Sequence, residues 1–344
     1  MIKVSAPGKV HLIGEHSVVY GEPAILASIS LRCSVTAEKS GKVIVNNEDL
    51  KRNSVFSLDE IKSFNSMITN LWKEGREAND FSKLFKEMEK NPLNHNKAAI
   101  GKILEKLEIV GGVSLTIKSD IPVGAGAGSG AALAVSLVKA ISELYERKLT
   151  NEEVNELAFE IEKISHGNPS GGDNSACCYG GLIWFQKGDK KNIIKSLKKE
   201  VPHKIENFLL VVTKGTKTST GELIQRVRNL DEDYRNERIG KLGKLTREMR
   251  AVLKNKNFNR MKQIINETQK ILAEIGVSTS EIDKINSDIR SIDGAAKLCG
   301  AGGGGVVLCY HENKRKLSDA IKKLGYEPVE IELGVDGVRI ESTK

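Results

Sequence analysis

Apolar and polar positions alternate at the start of the chain. Ile2 and Val4, then Val10, Leu12 and Ile13, with Gly14 and Gly21 as punctuation, predict two strands around a turn. SLRCSVTAE (30–38) and KVIVN (42–46) keep the period of two, with Gly41 as the turn between them. Over 58–108 the period lengthens to that of a helix, clearest in FSKLFKEMEK and KAAIGKILEKLEIV, and GGVSLTIKSDIP returns to strand. A run of small residues follows. ALAVSLVKAISELYERKL then has helical composition, and Thr150-Asn-Glu-Glu153 is a capping box that opens a second helix. Val154, Leu157, Ala158, Ile161 and Ile164 share one face of it, and Glu162 stands on the border of that face, where a carboxylate reaches a cleft without being buried. GLIWF (181–185) and NFLLVVTKG (207–215) read as strands on either side of a Lys-rich polar stretch around 186–206. Residues 221–273 are helical and charged, Ser278-Thr-Ser-Glu281 is a further capping box, and AAKLCGAGGGGVVLCY (295–310) predicts two strands flanking a glycine hairpin. No repeat of solenoid period is present.

A chain of 344 residues exceeds what one core commonly serves, so two domains are expected. The polar stretch divides them into 1–186 and 187–344. The net charge of +8 suits an anionic partner, a nucleotide, a small acid or a nucleic acid. Aromatic residues make up only 5% and the lysines are scattered, which argues against a stacking platform for single strands. Five cysteines, with no CxxC pair and no metal-ligand spacing, indicate neither a disulfide framework nor a zinc site and fit a reducing cytosol. The N-terminal residues show neither a long apolar core nor a small-residue cleavage site, and no apolar run reaches the ~18 residues of a spanning helix. A soluble cytoplasmic protein without a membrane partner is expected.

The small-residue run is PVGAGAGSGAA, Pro122 to Ala132. It lacks the lysine of a P-loop. It nearly meets a dinucleotide fingerprint, yet its helix is followed by another helix rather than by a strand ending in an acid. What both motifs share remains: glycines let the backbone approach a ligand with its N–H groups outward, and a helix start adds partial positive charge. The loop reads as a polyanion cradle without a side-chain cation, with phosphate as the guest; a tight packing loop is the plain alternative. Gly300 to Gly305 match a similar pattern but lead into a strand, which favours close contact with a ligand or the neighbouring domain.

Phosphoryl transfer also needs charge compensation, a divalent metal and a means of presenting the acceptor hydroxyl. SAPGKVHLIGEHSVVYGEPA offers Lys9, Glu15 and His16, GNPSGGDNS offers Asp173 in a turn, and Glu162 lies eleven residues before it. Singly, Lys9 reads as a solvated lysine, His16 as a hydrogen-bonded packing residue and Asp173 as an Asx turn. Together with the glycine loop they compose a site.

APGKVHLIGEHSVVYGEPA, PVGAGAGSGAA, HGNPSGGDN and KLCGAGGGG are similar, in order and rough spacing, to the motifs of the GHMP kinases. The GEHSVVYG and HGNPSGGDN forms resemble the mevalonate kinase branch, and the likeness runs from about residue 3 to about residue 310. It implies a two-domain α+β fold with the active site in the cleft between domains, ATP as co-substrate, Mg²⁺, mevalonate as acceptor and a homodimeric assembly. By the same resemblance Ser129 and Glu162 would hold Mg²⁺. Pro122 and the stretch Gly124, Ala125, Gly126, Ala127, Gly128, Ser129, Gly130, Ala131 and Ala132 would wrap the ATP phosphates. Asp173 would accept or orient the acceptor proton and Lys9 would neutralise charge, both catalytic, while Glu15, His16, Thr220, Gly302 and Gly303 would line the acceptor pocket. Two departures stand out. GLGSSAA of the family is GAGSGAA here, which leaves Ser129 as the one hydroxyl, and the segment around Thr220 lacks the basic residue often found just before it. Phosphomevalonate kinase, homoserine kinase, a sugar kinase or a decarboxylase-like relative are alternatives within the superfamily; a non-catalytic nucleic-acid-binding protein on the same fold is the alternative outside it.

Overall fold

The computed structural model describes residues 1–188 and 191–343. Its strands are β1 (Ile2–Ile13), β2 (Ala24–Ser40), β3 (Val43–Asn47), β4 (Arg52–Phe56), β5 (Gly112–Ser119), β6 (Leu182–Gln186), β7 (Ile193–Ser196), β8 (Phe208–Val212), β9 (Ala295–Leu298), β10 (Val306–Tyr310), β11 (Val329–Glu330) and β12 (Arg339–Thr343). Its helices are α1 (Leu58–Ala78), α2 (Ser82–Glu89), α3 (Asn94–Lys106), α4 (Ser129–Leu144), α5 (Asn151–His166), α6 (Gly172–Tyr179), α7 (Thr220–Arg228), α8 (Glu232–Lys254), α9 (Phe258–Glu274), α10 (Ser280–Ser291) and α11 (Lys314–Lys323).

Eight strands form a first sheet ordered β12-β1-β2-β5-β3-β4, with β6 and β7 added along the lower half of β2. Four form a second, β11-β8-β10-β9, antiparallel throughout. The two expected N-terminal strands are one strand of 12 residues. Its pairing with β2 shifts register at Pro7/Gly8 and at His11/Ile13, so bulges replace the expected break. Gly41 does not close a hairpin, because β5 lies between β2 and β3 and pairs with both.

The division at 186/187 also needs correcting. It falls inside the β6–β7 hairpin, and β12 carries the end of the chain back onto β1 of the first sheet. The second sheet is built only from strands between 208 and 330. The N-cap expected at Ser278 is Thr279, whose hydroxyl accepts from Ile282 N. Glu281 is drawn off to Lys214 N, Gly215 N and the Tyr326 hydroxyl. The capping box at Thr150 forms as the sequence predicts.

α4 is apolar nearly all round (ALAVSLVKAI), which suits a helix covered on every side. It packs on β1 and β2 and is overlaid by α5 and α6. Inner faces of both sheets contribute to one continuous apolar core, from Val4 and Val35 to Leu210 and Val307. Among the described residues no helix is long and apolar enough to cross a membrane.

This packing presses β1 against the loop that precedes α4. Lys9 N donates to Ala127 O at 2.9 Å. A Cβ at Gly8 would lie 2.7 Å from Ala127 O, and one at Gly128, whose φ is +78°, would lie 2.8 Å from Lys9 Cγ. Gly124 has φ +71° but nothing within 4 Å of its Cβ position. Gly128→Ala should therefore lower stability by about 1–3 kcal/mol for the backbone strain, plus the cost of displacing Lys9. Gly124→Ala carries the strain alone. Equal losses for the two variants in urea denaturation would refute the close approach of β1 and loop.

Candidate active site

Lys9 enters from β1 and is 2% exposed. Its Nζ sits 2.9 Å from Asp173 Oδ2. Asp173 stands in the first turn of α6 rather than in the expected turn, just after Gly171 with φ +86°. The partial positive charge at that helix end favours a carboxylate. The turn is pinned from both sides, since Ser175 Oγ donates to Gly171 O at 2.6 Å and Asn174 Nδ2 donates to Asn155 O and Oδ1. Burial by itself would raise the Asp173 carboxyl, but the Lys9 ammonium, by its charge and its hydrogen bond, holds it below the ordinary aspartate value. Burial likewise works to lower the Lys9 ammonium, and Asp173 overcomes it, so the amine is raised. Both groups stay charged through the neutral range. His11 Nδ1 lies 3.4 Å from Lys9 Nζ. Burial, followed by the Lys9 charge, pushes that imidazole well below its ordinary value, so it is neutral and can accept.

Beside this pair runs the glycine loop. Gly124, Gly126 and Gly128 all have positive φ. Ala125, Ala127, Ala131 and Ala132 are buried and anchor the loop to the core, Pro122 is half-buried at its entrance, and Gly124 and Gly130 face solvent. Among the groups expected to wrap phosphate, then, the alanine side chains are packing and the open surface belongs to the glycines and Ser129. The loop does not lack a cation. Lys217 Nζ donates to Gly124 O at 2.7 Å and lies 3.7 Å from the Cβ position of Gly126. Burial lowers the Lys217 amine, and the Lys9 charge lowers it further while Asp173 opposes.

Lys217 comes from the segment between β8 and α7, three residues before Thr220. Its loop is held by Thr218 N to Gly303 O, by Thr213 N to Gly305 O and by Gly305 N to Thr213 Oγ1. Thr220 itself is exposed at the start of α7, whose cap is Ser219. Gly302 and Gly303 pack against Val277 and Thr218, and Val306 N reaches across to Ala125 O at 2.8 Å. The 300–305 turn thus braces the two loops against each other.

Glu162 departs from expectation, being 3% exposed rather than on an open border. Its Oε2 is 3.5 Å from His166 Nε2, and its Oε1 lies 3.6 Å from the Cβ position of Gly130. Burial raises its carboxyl, opposed by His166. His16, in a left-handed conformation with φ +57°, bonds through Nε2 to Ala301 O at 2.8 Å. Glu15 is 1% exposed and turned to Lys297, whose Nζ meets Glu15 Oε1, Leu298 O at 2.8 Å and His11 O at 3.1 Å. It faces Lys297 of the second sheet.

Lys217, Lys297 and His11 were not singled out by sequence. A lysine inside the apolar strand AAKLC was a signal for a buried ion pair, since lysine is almost never fully buried unless paired.

The family model described as GHMP kinases N terminal domain matches residues 94–181, and that described as GHMP kinases C terminal matches 249–328. The mevalonate kinase of Thermococcus sibiricus is 32% identical over 99% of this chain and 98% of its own. A crystal structure of mevalonate kinase superposes with TM-score 0.79 at 29% identity, covering 99% of both chains. A Lactococcus lactis galactokinase complexed with galactose reaches TM-score 0.78 at 18% identity over 98% of this chain and 94% of its own. Shape alone therefore does not separate acceptors.

Lys297→Met leaves the Glu15 charge buried, with its Oε2 already lacking a hydrogen bond. It should destabilise the protein by about 3–5 kcal/mol. The double variant Glu15→Gln/Lys297→Met should recover most of that loss. A double variant no more stable than the single one in guanidinium titration would disprove the pairing.

Proposed function

The chain belongs to the GHMP kinase family, in its mevalonate kinase branch, and from that premise we propose that it transfers the γ-phosphoryl group of ATP to the 5-hydroxyl of (R)-mevalonate. The acceptor rests on the full-length identity to mevalonate kinases. The chemistry rests on one observation, the 2.9 Å Lys9–Asp173 pair beside the glycine loop.

The outward amides of the loop bind the ATP phosphates, with the α4 N-terminus adding partial positive charge. Asp173, kept ionised by Lys9, accepts the proton of the acceptor hydroxyl or orients that hydroxyl. The oxygen attacks the γ-phosphorus, the bond to the β-phosphate oxygen breaks, and ADP leaves. A loose transition state of this kind asks mainly for position and for compensation of charge on the transferring oxygens. Lys9 supplies that from below, and Lys217 from the opposite loop by exchanging Gly124 O for a phosphate oxygen. His16 and the 300–305 turn enclose the acceptor side.

The site fits a divalent cation. Glu162 is a buried carboxylate whose only polar partner among the described residues is the long His166 contact. No cluster of three or more His, Cys, Asp or Glu that could hold a metal surrounds it among the described residues. Few protein oxygens with phosphates nearby is the donor set of Mg²⁺. Glu162, with Ser129 as the nearby hydroxyl of the loop, would hold the ion, which when bound neutralises phosphate charge.

Asp173→Asn should lower kcat by about 10²–10⁴-fold while leaving ATP affinity nearly unchanged. Coupled assays with mevalonate, phosphomevalonate and homoserine should show turnover with mevalonate. Retained turnover in Asp173→Asn would discard the catalytic assignment, and activity only on another acceptor would discard the substrate. Lys217→Ala should raise KM for ATP and lower kcat, together costing about 10²-fold in kcat/KM, with Lys217→Arg largely rescued. A Lys217→Ala enzyme with unchanged constants would show that the lysine merely ties the loop.

A further inference from the structure

Lys9 carries the three protons of its ammonium into a place that is 2% exposed, where each needs an acceptor or a use. Asp173 Oδ2, at 2.9 Å, takes the first. The one other side chain among the described residues that bonds Nζ is His11, whose Nδ1 lies 3.4 Å away. An ammonium can only donate, so Nδ1 accepts, and the proton of the neutral ring is then on Nε2. The third Lys9 proton has no acceptor among the described residues.

The placement of the imidazole follows from the strand. Lys9 pairs with Ser28 and His11 with Leu26 without a register shift between them, so both side chains leave β1 on the same face. The backbone at His11 is held from the second sheet, where Lys297 Nζ donates to His11 O at 3.1 Å. Burial, followed by the Lys9 charge, keeps the ring neutral; Asp173 opposes them, while Lys297 and His16 act in the same sense as Lys9. Nε2 makes no hydrogen bond among the described residues, so Lys9 is the one group there that the ring bonds.

We propose that His11 is a positioning residue for phosphoryl transfer: its Nδ1 holds the second proton of Lys9, which fixes the ammonium against Asp173 and leaves the third N–H aimed at the oxygens of the transferring group. The inference rests on the kinase reading for what that third proton meets, and it deepens that reading by naming what sets the direction of the lysine. With Asp173 as sole acceptor, the head of a flexible four-carbon stem would follow the carboxylate. Two acceptors in different directions determine where the nitrogen sits, and tetrahedral geometry leaves one direction for the remaining proton. Charge compensation in the transition state depends on such placement as much as on the charge itself.

The test reads kcat, KM for ATP and KM for mevalonate separately in three variants. His11→Leu removes the acceptor and should lower kcat by about 10–10²-fold with both KM values nearly unchanged. His11→Asn places an amide oxygen as many bonds from the backbone as Nδ1 and should recover most of that loss. His11→Gln carries its amide one bond further out and should resemble His11→Leu. Were the ring needed only for packing, leucine would be the best replacement of the three. A second arm needs neither ATP nor acceptor. In protein labelled with ¹⁵N-histidine, the His11 signals, assigned by their loss in His11→Asn, should show a neutral ring at neutral pH. Its titration should move to higher pH in Lys9→Met, because the positive charge that opposes protonation is gone and Asp173 is left uncompensated.

Wild-type kcat in His11→Leu overturns the proposal. So does a His11→Asn enzyme no faster than His11→Leu, because the contact would then not run through Nδ1. A His11 titration unmoved in Lys9→Met overturns it too, by showing that lysine and imidazole do not touch. A wrong acceptor shows in the wild-type turnover control before any variant is compared, so it is not confused with a wrong role for His11.

Discussion

The site depends on the closeness of two backbones. β1 and the loop before α4 touch through Lys9 N and Ala127 O, with glycine at 8 and at 128 because a Cβ at either would collide. That contact fixes the root of the Lys9 side chain. It also fixes the height at which the loop passes over it. Since α4 is buried against β1 and β2, the first turn of the helix cannot shift without disturbing the core. Lys9 and the glycine loop are thereby placed by backbone packing before their side chains make any interaction of their own.

Charge crosses the cleft in both directions. From the first sheet, Glu15 reaches Lys297 of the second; from the second, Lys217 reaches the loop of the first. The two contacts differ in environment and hence in function. Glu15 and Lys297 are without solvent access, and Lys297 uses its remaining protons on two carbonyls, so the pair fixes the relative placement of the sheets. A buried ion pair contributes little net stability compared with apolar residues, but it is strongly unfavourable to break. Lys217 is exposed and bonded to a single carbonyl, Gly124 O. One contact is buried with every Lys297 proton used, the other exposed and held by one bond.

Much of this was legible in the sequence. The glycine loop, α4 after it, the Thr150 capping box and the 295–310 hairpin are local patterns, and local patterns survive folding. Lys9 and Asp173 were found as candidates, and the structure brings them into contact. What was misread concerns neighbours distant in sequence. Residues 2–13 form a single strand, β1, whose pairing with β2 shifts register at Pro7/Gly8 and at His11/Ile13, and alternation alone does not reveal that bulges keep it continuous. β4 was not found, since RNSVF has too few apolar residues and owes its pairing to β3. The boundary at 186/187 failed because chain composition does not reveal that β12 returns to β1. Glu162 was placed on an open border by helical periodicity, whereas α6 and the loop cover that border. The pairing of Glu15 was not foreseen because its partner, Lys297, lies 282 residues away.

The same comparison explains why the cation on the loop escaped notice. A basic residue was sought directly before Thr220, but the residue that matters is set by the path of the chain between β8 and α7. Glu281 holds that path by accepting from Lys214 N and Gly215 N, and it does so in place of the capping box the sequence seemed to offer. A carboxylate that could have closed its own helix instead shapes the loop carrying Lys217. Local preference gives way here to a tertiary contact that aims a cation at the glycine backbone, and the helix keeps its start because Thr279 caps it one residue later. Departures from local sequence rules around this junction include Glu281, His16 with its left-handed backbone and the buried Glu162. His16 is held by its Nε2 bond to Ala301 O and Glu281 by three donors, so each of these two departures is settled by a contact distant in sequence.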